Sequence, residues 1–357
     1  MERKENGMHD VLIVGGGSIG ERHLRCFIRT GRVRASICEQ RPERLQQLAR
    51  AYPIASAHTD FEKLDLAGYD AVVICVYANL HVPYAARAVQ AGAHVLVEKP
   101  LSVDLKGVDE LVALAEEKRV VVGVAHVRRA MTTSMVVKRA LDEGRIGDVL
   151  DLTWTVGYDH RQARPDYRST YWRSRSMGGG AVLDMSSHTS NLVQWFLGPA
   201  RSVMALYDHL QIEDTDCEDT LSYILRFRDN AAVATIHCVA WQAHRADLLT
   251  LSGTRGSIVC DAHEGRVGIV DRSGNWTWTE GLKPKPDSKG QVDEPFVCQA
   301  NNFLDAIEGK ARILCDVADA RHTMEICEAT YESGRRRAEV PIPLSDPRAP
   351  AGRAIPT

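Results

Sequence analysis

Val11-Leu12-Ile13-Val14-Gly15-Gly16-Gly17-Ser18-Ile19-Gly20 reads as a short β-branched strand that breaks at once into a glycine-rich turn. A helical pattern from Glu21 to about Thr30 follows, closed by Gly31 as C-cap. Gly15, Gly17 and Gly20 fit G-x-G-x-x-G, in which glycine permits the tight turn, close backbone approach to a pyrophosphate, and helix-on-strand packing. The next strand, Ala35-Ser36-Ile37-Cys38, ends in Glu39. A carboxylate there accepts ribose hydroxyls and repels a 2′-phosphate, which favours NAD. Arg41, two residues on, is suited to stack on adenine or to bind that phosphate, so NADP stays open.

Working outward, apolar strands alternate with helices. A helix is expected over Pro42–Ala51, a strand over Ala71–Val76, a helix over His81–Gln90 and a strand over His94–Val97. A helix over Val103–Lys118 and a strand over Val120–Val124 complete the series. Strands apolar throughout and separated by helices indicate a parallel sheet covered on both faces. The strand His94–Val97 runs into Glu98-Lys99-Pro100, and proline ends it because it brings no N–H to the ladder. Lys99 therefore stands at the carboxyl edge of the sheet, where open α/β folds bind ligands. Its plainer reading is a surface lysine after a strand. Asn79, in Tyr77-Ala78-Asn79-Leu80-His81, is placed to cap the next helix or to lie under the nicotinamide ribose.

Near Arg128 the rhythm changes. A helix from Met131 to Glu143 leads to strands at Val149–Tyr158, Arg201–Tyr207, Asp219–Phe227, Ala231–His237, Leu248–Ser252, Ser257–Cys260 and Arg266–Val270. Tight links between consecutive strands indicate a mainly antiparallel sheet in an α+β domain. Gly281–Pro295 reads as a loop or arm, and helices over Gln299–Glu308 and Ala318–Glu332 close the fold. The expected division is a Rossmann domain over 1–128, an α+β domain over 129–344 and a polar tail over 345–357.

Within the second domain, Gly178-Gly179-Gly180 leads into a helix from Ala181 to Leu197. Asp184 and His188 are four apart, which on an α-helix puts them on one face. A carboxylate beside an imidazole orients it and raises its basicity; a packed, satisfied histidine is the plainer reading. The loop Gly157–Met177 carries Tyr158, His160, Tyr167, Tyr171 and Trp172 beside Arg161, Arg164, Arg168, Arg173 and Arg175. Aromatic faces suit sugar C–H surfaces, and the excess of arginine hints at an acidic or phosphorylated sugar; a subunit contact or solvated loop is the alternative.

The totals exclude several classes. The chain has 357 residues, 44% hydrophobic and 25% charged, with net charge −3, which gives no reason to expect nucleic acid or an anionic membrane as partner. Nine scattered cysteines without CxxC read as reduced thiols in a cytoplasmic protein, and Met1 to Asp10 lacks the apolar core of a signal peptide. No histidine or cysteine cluster has metal-ligand spacing, so no metal is expected.

Taken in order, Gly15-x-Gly17-x-x-Gly20, Asn79-Leu80-His81, Ala91-Gly92-Ala93-His94-Val95-Leu96-Val97-Glu98-Lys99-Pro100 and Gly179-Gly180-Ala181-Val182-Leu183-Asp184-x-x-x-His188 resemble the Gfo/Idh/MocA oxidoreductases over nearly the whole chain. The resemblance implies oxidation or reduction at a sugar or cyclitol carbon, and an open sheet that serves as the contact of a homodimer or homotetramer. It maps the catalytic positions onto Lys99, Asp184 and His188. The candidate cofactor contacts are Gly15, Gly17, Ser18, Ile19, Gly20, Glu39, Gln40, Arg41, Tyr77, Asn79, His81, Glu98 and Lys99. The candidate substrate contacts are Lys99, His126, Tyr158, Tyr171, Trp172, Arg173, Asp184 and His188. Two other functions are alternatives: NAD-dependent glycoside cleavage by transient oxidation, and a non-catalytic NAD-binding regulator, against which Lys99, Asp184 and His188 count.

Overall fold

The computed structural model describes residues 7–287 and 290–344, which form two compact units. The expected tail at 345–357 lies outside the described residues.

The first unit comprises the described residues of 1–102, 107–130 and 285–320. Its elements are β1 (His9–Val14), α1 (Ser18–Arg29), β2 (Val33–Cys38), α2 (Pro42–Ala51), β3 (Ala57–His58), β4 (Ala71–Ile74), α3 (His81–Gln90), β5 (His94–Val97), α4 (Val108–Lys118) and β6 (Val122–Val124). All six strands are parallel, in the order β3-β2-β1-β4-β5-β6. This is the doubly wound order, with its switch point between β1 and β4. Val11, Leu12 and Ile13 are fully buried, as the β-branched run requires of a strand covered on both faces.

Among the differences from the sequence reading, two have a clear local reason. The helix expected from Val103 begins at Val108, because Gly107 takes φ +74 and the α ladder cannot pass through it. Asn79 does not cap α3: it sits inside the short 3-10 turn Ala78–Leu80, and Leu80 is the N-cap. The expected second domain, 129–344, is interrupted by residues 285–320, which pack in the first unit. Asp293 explains this. It is 2% exposed and accepts Arg25 Nε and Nη2 of α1 at 2.6 and 2.7 Å, while Phe303 meets Phe27 edge-on at 6.2 Å.

The second unit holds α5 (Thr132–Asp142), β7 (Val149–Asp159), α6 (His160–Ala163), α7 (Ser187–Leu197), β8 (Ala200–Asp208), β9 (Thr220–Phe227), β10 (Val233–Val239) and β11 (Trp241–Gly253). It continues with β12 (Gly256–Asp261), β13 (Arg266–Asp271) and β14 (Trp276–Thr279); α8 (Glu294–Ile307) belongs to the first unit, and α9 (Val317–Arg336) and β15 (Val340–Pro341) follow. Nine strands form one sheet, ordered β14-β13-β12-β11-β7-β10-β9-β8-β15, antiparallel except for β7 beside β10. One face carries α7 and α9: Tyr223 of β9 shares its hydroxyl with Thr189 and Ser190, and Tyr207 of β8 meets Tyr331 edge-on. The other face carries Met204, Leu206, Ile224 and Leu248, all exposed. β14 escaped the sequence reading, although Trp276-Thr277-Trp278-Thr279 alternates as a strand should. No helix among the described residues is long and apolar enough to cross a membrane.

Candidate functional site

In the first unit the glycine turn separates into positions the fold needs and one it does not. A Cβ on Gly15, whose φ is +95, would lie 2.4 Å from the Cys75 carbonyl oxygen, and one on Gly20 would lie 1.8 Å from the Gly15 carbonyl oxygen. Both glycines are required for α1 to pack on β1 and β4. Gly17 differs: its φ of −66 suits any residue, and a Cβ there would meet nothing within 4 Å. It is the N-cap of α1 and supplies no side-chain bond, so the first N–H groups of the helix, from Ser18 and Ile19 onward, face outward without capping from that residue. An open, uncapped helix start beside a bare glycine is a fitting cradle for a dinucleotide pyrophosphate.

Glu39 ends β2 beside this turn. It is 6% exposed; Oε2 accepts the Gly16 N–H at 2.7 Å, and Oε1 accepts the Arg41 N–H and Nε–H, both at 2.9 Å. Burial pushes its pKa up, but the Arg41 and Gly16 bonds outweigh that and hold the carboxyl below its usual range. The carboxylate is thus ionised, tied to the glycine turn and covered by a largely exposed arginine. Gln40 beside it is exposed. Arg44, which the sequence reading passed over, donates to the Gly16 carbonyl at 2.7 Å.

At the carboxyl edge of β5, Glu98 is buried and accepts from two sides. His23 Nε2 lies 2.6 Å from Oε1, and the Lys99 N–H bonds Oε2 at 3.0 Å. Desolvation raises the Glu98 pKa, while the His23 bond and charge and the nearby Lys99 bring it below the ordinary value. Glu98 therefore fixes the main chain that carries Lys99. The ring nitrogens of His81 lie 2.8 Å from the Pro100 carbonyl and 3.0 Å from the Val76 carbonyl, stapling the Tyr77–Leu80 turn to the turn after Lys99. Tyr77 is half exposed on that turn. His126 follows β6 on the adjoining strand; burial first, then the charges of Arg129 and Lys99, hold it far below its usual pKa, so the ring is neutral. His23 was missed as a support residue, although its place among Gly20, Leu24 and Phe27 on the buried side of α1 was a readable signal.

In the second unit, Asp184 anchors the other cluster. It is 5% exposed and accepts the Tyr171 hydroxyl at 2.9 Å on Oδ1 and the Trp172 indole N–H at 3.0 Å on Oδ2. Burial and then the Asp184 charge push the Tyr171 phenol well above its usual pKa, which keeps it a neutral donor. His160 stacks on Trp172 at 4.1 Å and is tilted against Tyr158 at 5.9 Å. The helix expected from Ala181 to Leu197 is π-wound over Ala181–Ser186 and α-helical only from Ser187. The α-helical i,i+4 alignment assumed for Asp184 and His188 therefore does not hold, because the wider turn changes the angle between them. From Gly178 to Gln194, His188 is the one residue that is not buried.

The arginine-rich loop is less cationic than its sequence suggests. Arg161 pairs with Asp159 at 2.8 Å, Arg168 with Asp214 at 2.7 Å and Arg175 with buried Glu218 at 3.0 Å. Arg164 and Arg173 are exposed, with Arg173 bound through its main-chain carbonyl to Asp216.

Residues 9–126 match the profile of the oxidoreductase family with an NAD-binding Rossmann fold, and residues 135–259 match the Gfo/Idh/MocA C-terminal domain. The chain belongs to the Gfo/Idh/MocA family. Among its members, levoglucosan dehydrogenase of Pseudarthrobacter phenanthrenivorans is 24% identical, covering 94% of this chain and 98% of that protein. The scyllo-inositol 2-dehydrogenase (NAD(+)) of Bacillus subtilis is also 24% identical, over 95% and 97%. The solved structure of levoglucosan dehydrogenase in complex with NADH and levoglucosan superposes with a TM-score of 0.84 at 22% identity, covering 94% of this chain and all of that one. This Gfo/Idh/MocA member thus shares its fold over 94% of its length with a solved structure of the family.

Proposed function

We propose that this chain is an NAD-dependent dehydrogenase that oxidises a secondary alcohol carbon of a neutral sugar, sugar derivative or cyclitol. The observation that carries the reading is His188, a partly exposed imidazole in an otherwise buried run, one turn beyond a carboxylate held by two neutral donors. Such a ring suits a general base, because the substrate hydroxyl must lose a proton as its carbon loses hydride. Lys99 supplies positive charge toward the developing alkoxide, on a backbone that Glu98 and His23 hold still. Asp184, with Tyr171 and Trp172, orients a neighbouring hydroxyl. Gly17, Ser18, Ile19 and Glu39 hold the dinucleotide, whose nicotinamide supplies the hydride acceptor when bound.

A neutral substrate is favoured over an acidic one because Asp159, Asp214 and Glu218 pair with three of the loop's five arginines. The relatives named above act on levoglucosan and scyllo-inositol, both uncharged. Incubating the protein with NAD and a panel of polyols, aldoses, uronates and glycosides, with NADH absorbance and product analysis, tests the assignment. NADH formed in step with a neutral polyol supports it; bond cleavage without net NADH points to the glycoside-cleaving reading instead.

The exposed face of the nine-stranded sheet is proposed as the contact with a second copy, giving a homodimer or, with a further interface, a homotetramer. One cross-strand row on it runs Val259, Thr250, Thr153, Thr235, Ile224, Met204 without a charge. Sheet-to-sheet packing of such a face is self-complementary about a twofold axis. The free cysteines, eight of them buried, are in keeping with a reducing, cytoplasmic setting.

A further inference from the structure

The π-helical turn Ala181–Ser186 precedes the α-helix that begins at Ser187, and its first N–H groups need partners from outside it. Gly180, at φ +100 and ψ 165, has no side chain to cap the turn, and a Cβ on it would lie 2.5 Å from Glu218 Oε1. Glu218 fills that place. It is fully buried; its Oε1 accepts the Val182 N–H at 2.9 Å and the Tyr331 hydroxyl at 3.0 Å, and its main-chain carbonyl accepts the Ala181 N–H at 2.8 Å. The first two N–H groups of the turn thus end on a single residue, which acts as a cap reaching in from the loop before β9.

The same short segment also fixes the partners of Asp184. Thr215 Oγ1 donates to the Trp172 and Arg173 carbonyls at 3.0 Å, Asp216 Oδ1 accepts the Arg175 N–H at 2.8 Å, and Glu218 Oε2 pairs with Arg175 Nε at 3.0 Å. One side of each Asp184 hydrogen bond is therefore set through Val182, and the other through Tyr171–Arg175. Both lead back to residues 215–218.

We propose that Glu218 is a positioning residue: by capping the π turn from outside and pairing with Arg175, it sets Asp184 against Tyr171 and Trp172. The inference rests on Asp184 being a site residue as argued above. A π turn at a functional site is a recurring device, since it re-aims one side chain without breaking the helix.

The test compares the full chain with Glu218→Gln, which keeps the shape and one acceptor but faces Arg175 with an amide. It also includes Tyr331→Phe, which removes one bond to the same oxygen at little risk to folding. The first readout is the Trp172 indole N–H resonance in protein isotope-labelled at tryptophan, assigned with Trp172→Phe and needing no substrate. The second is kcat and KM with whichever polyol turns over. Glu218→Gln is expected to move the Trp172 resonance and lower kcat about tenfold to a hundredfold, with NADH affinity unchanged and Tyr331→Phe intermediate. A folded Glu218→Gln or Tyr331→Phe whose Trp172 resonance stays in place overturns the proposal whatever the activity. If the resonance moves while the parent oxidises no polyol, the positioning role stands and the dehydrogenase reading fails.

Discussion

Gly17→Ala separates a glycine kept for folding from one kept for a ligand. At φ −66 and ψ −173 alanine meets no backbone strain, and its Cβ would have no neighbour within 4 Å. Alanine is a poorer N-cap than glycine by roughly 1 kcal/mol, but it loses less chain entropy on folding by about 0.4–1 kcal/mol. The two nearly cancel, so Tm should stay within about 3 °C of the parent. Gly20→Ala is the contrast: its Cβ would sit 1.8 Å from the Gly15 carbonyl oxygen, and the backbone of the turn must yield. Forcing a methyl into a packed place costs about 1–3 kcal/mol. For Gly17→Ala the same cost should appear only when the dinucleotide approaches, which weakens NADH binding roughly tenfold to a hundredfold. Thermal unfolding and fluorescence titration with NADH measure the two quantities on one sample. A Gly17→Ala protein that binds NADH as the parent does would refute the reasoning, as would one as unstable as Gly20→Ala.

Other outcomes follow from the same geometry. Lys99→Ala should lower kcat by about a hundredfold or more, read by stopped-flow or steady-state NADH formation. Glu98→Gln should lower Tm at neutral pH. The folded carboxyl lies below its ordinary pKa, so its stabilisation is complete above the unfolded value, near pH 4.3, and is lost as pH falls through the folded value. The gap between parent and variant unfolding midpoints should therefore close in acid, which a pH series of melts checks. Glu39→Ala should raise KM for NAD about tenfold and narrow the preference over NADP, as measured with both cofactors. Leu206→Arg on the exposed sheet face should shift the mass measured by light scattering toward the single chain.

Much of the first unit was legible because its signals are local. Val11–Val14, Pro42–Ala51, His81–Gln90 and His94–Val97 declare themselves by apolar runs, caps and Pro100, and the parallel order follows from their alternation. What escaped depended on partners far along the chain. Gly107 looks like a tolerated helix interior until its left-handed φ is seen. Helix α8 begins with Glu294-Pro295, yet its membership of the first unit depends on Asp293 meeting three arginines of α1, some 268 residues away in sequence for Arg25. The site shows the same division. Lys99, Asp184 and His188 were proposed from motif order, but the supports around them were not: His23 for Glu98, and Glu218 and Tyr331 for the π turn, pair across long separations. The loop arginines read as more cationic than they are for the same reason, since Asp214 and Glu218, which pair with Arg168 and Arg175, lie more than forty residues downstream.

The most direct test of the account is NADH formation by the intact protein supplied with NAD and neutral polyols, run beside His188→Gln. Oxidation of at least one neutral polyol with stoichiometric NADH, reduced by about a thousandfold in the variant, is the expected result. Equal turnover in His188→Gln, or oxidation confined to uronates and phosphorylated sugars, would contradict it.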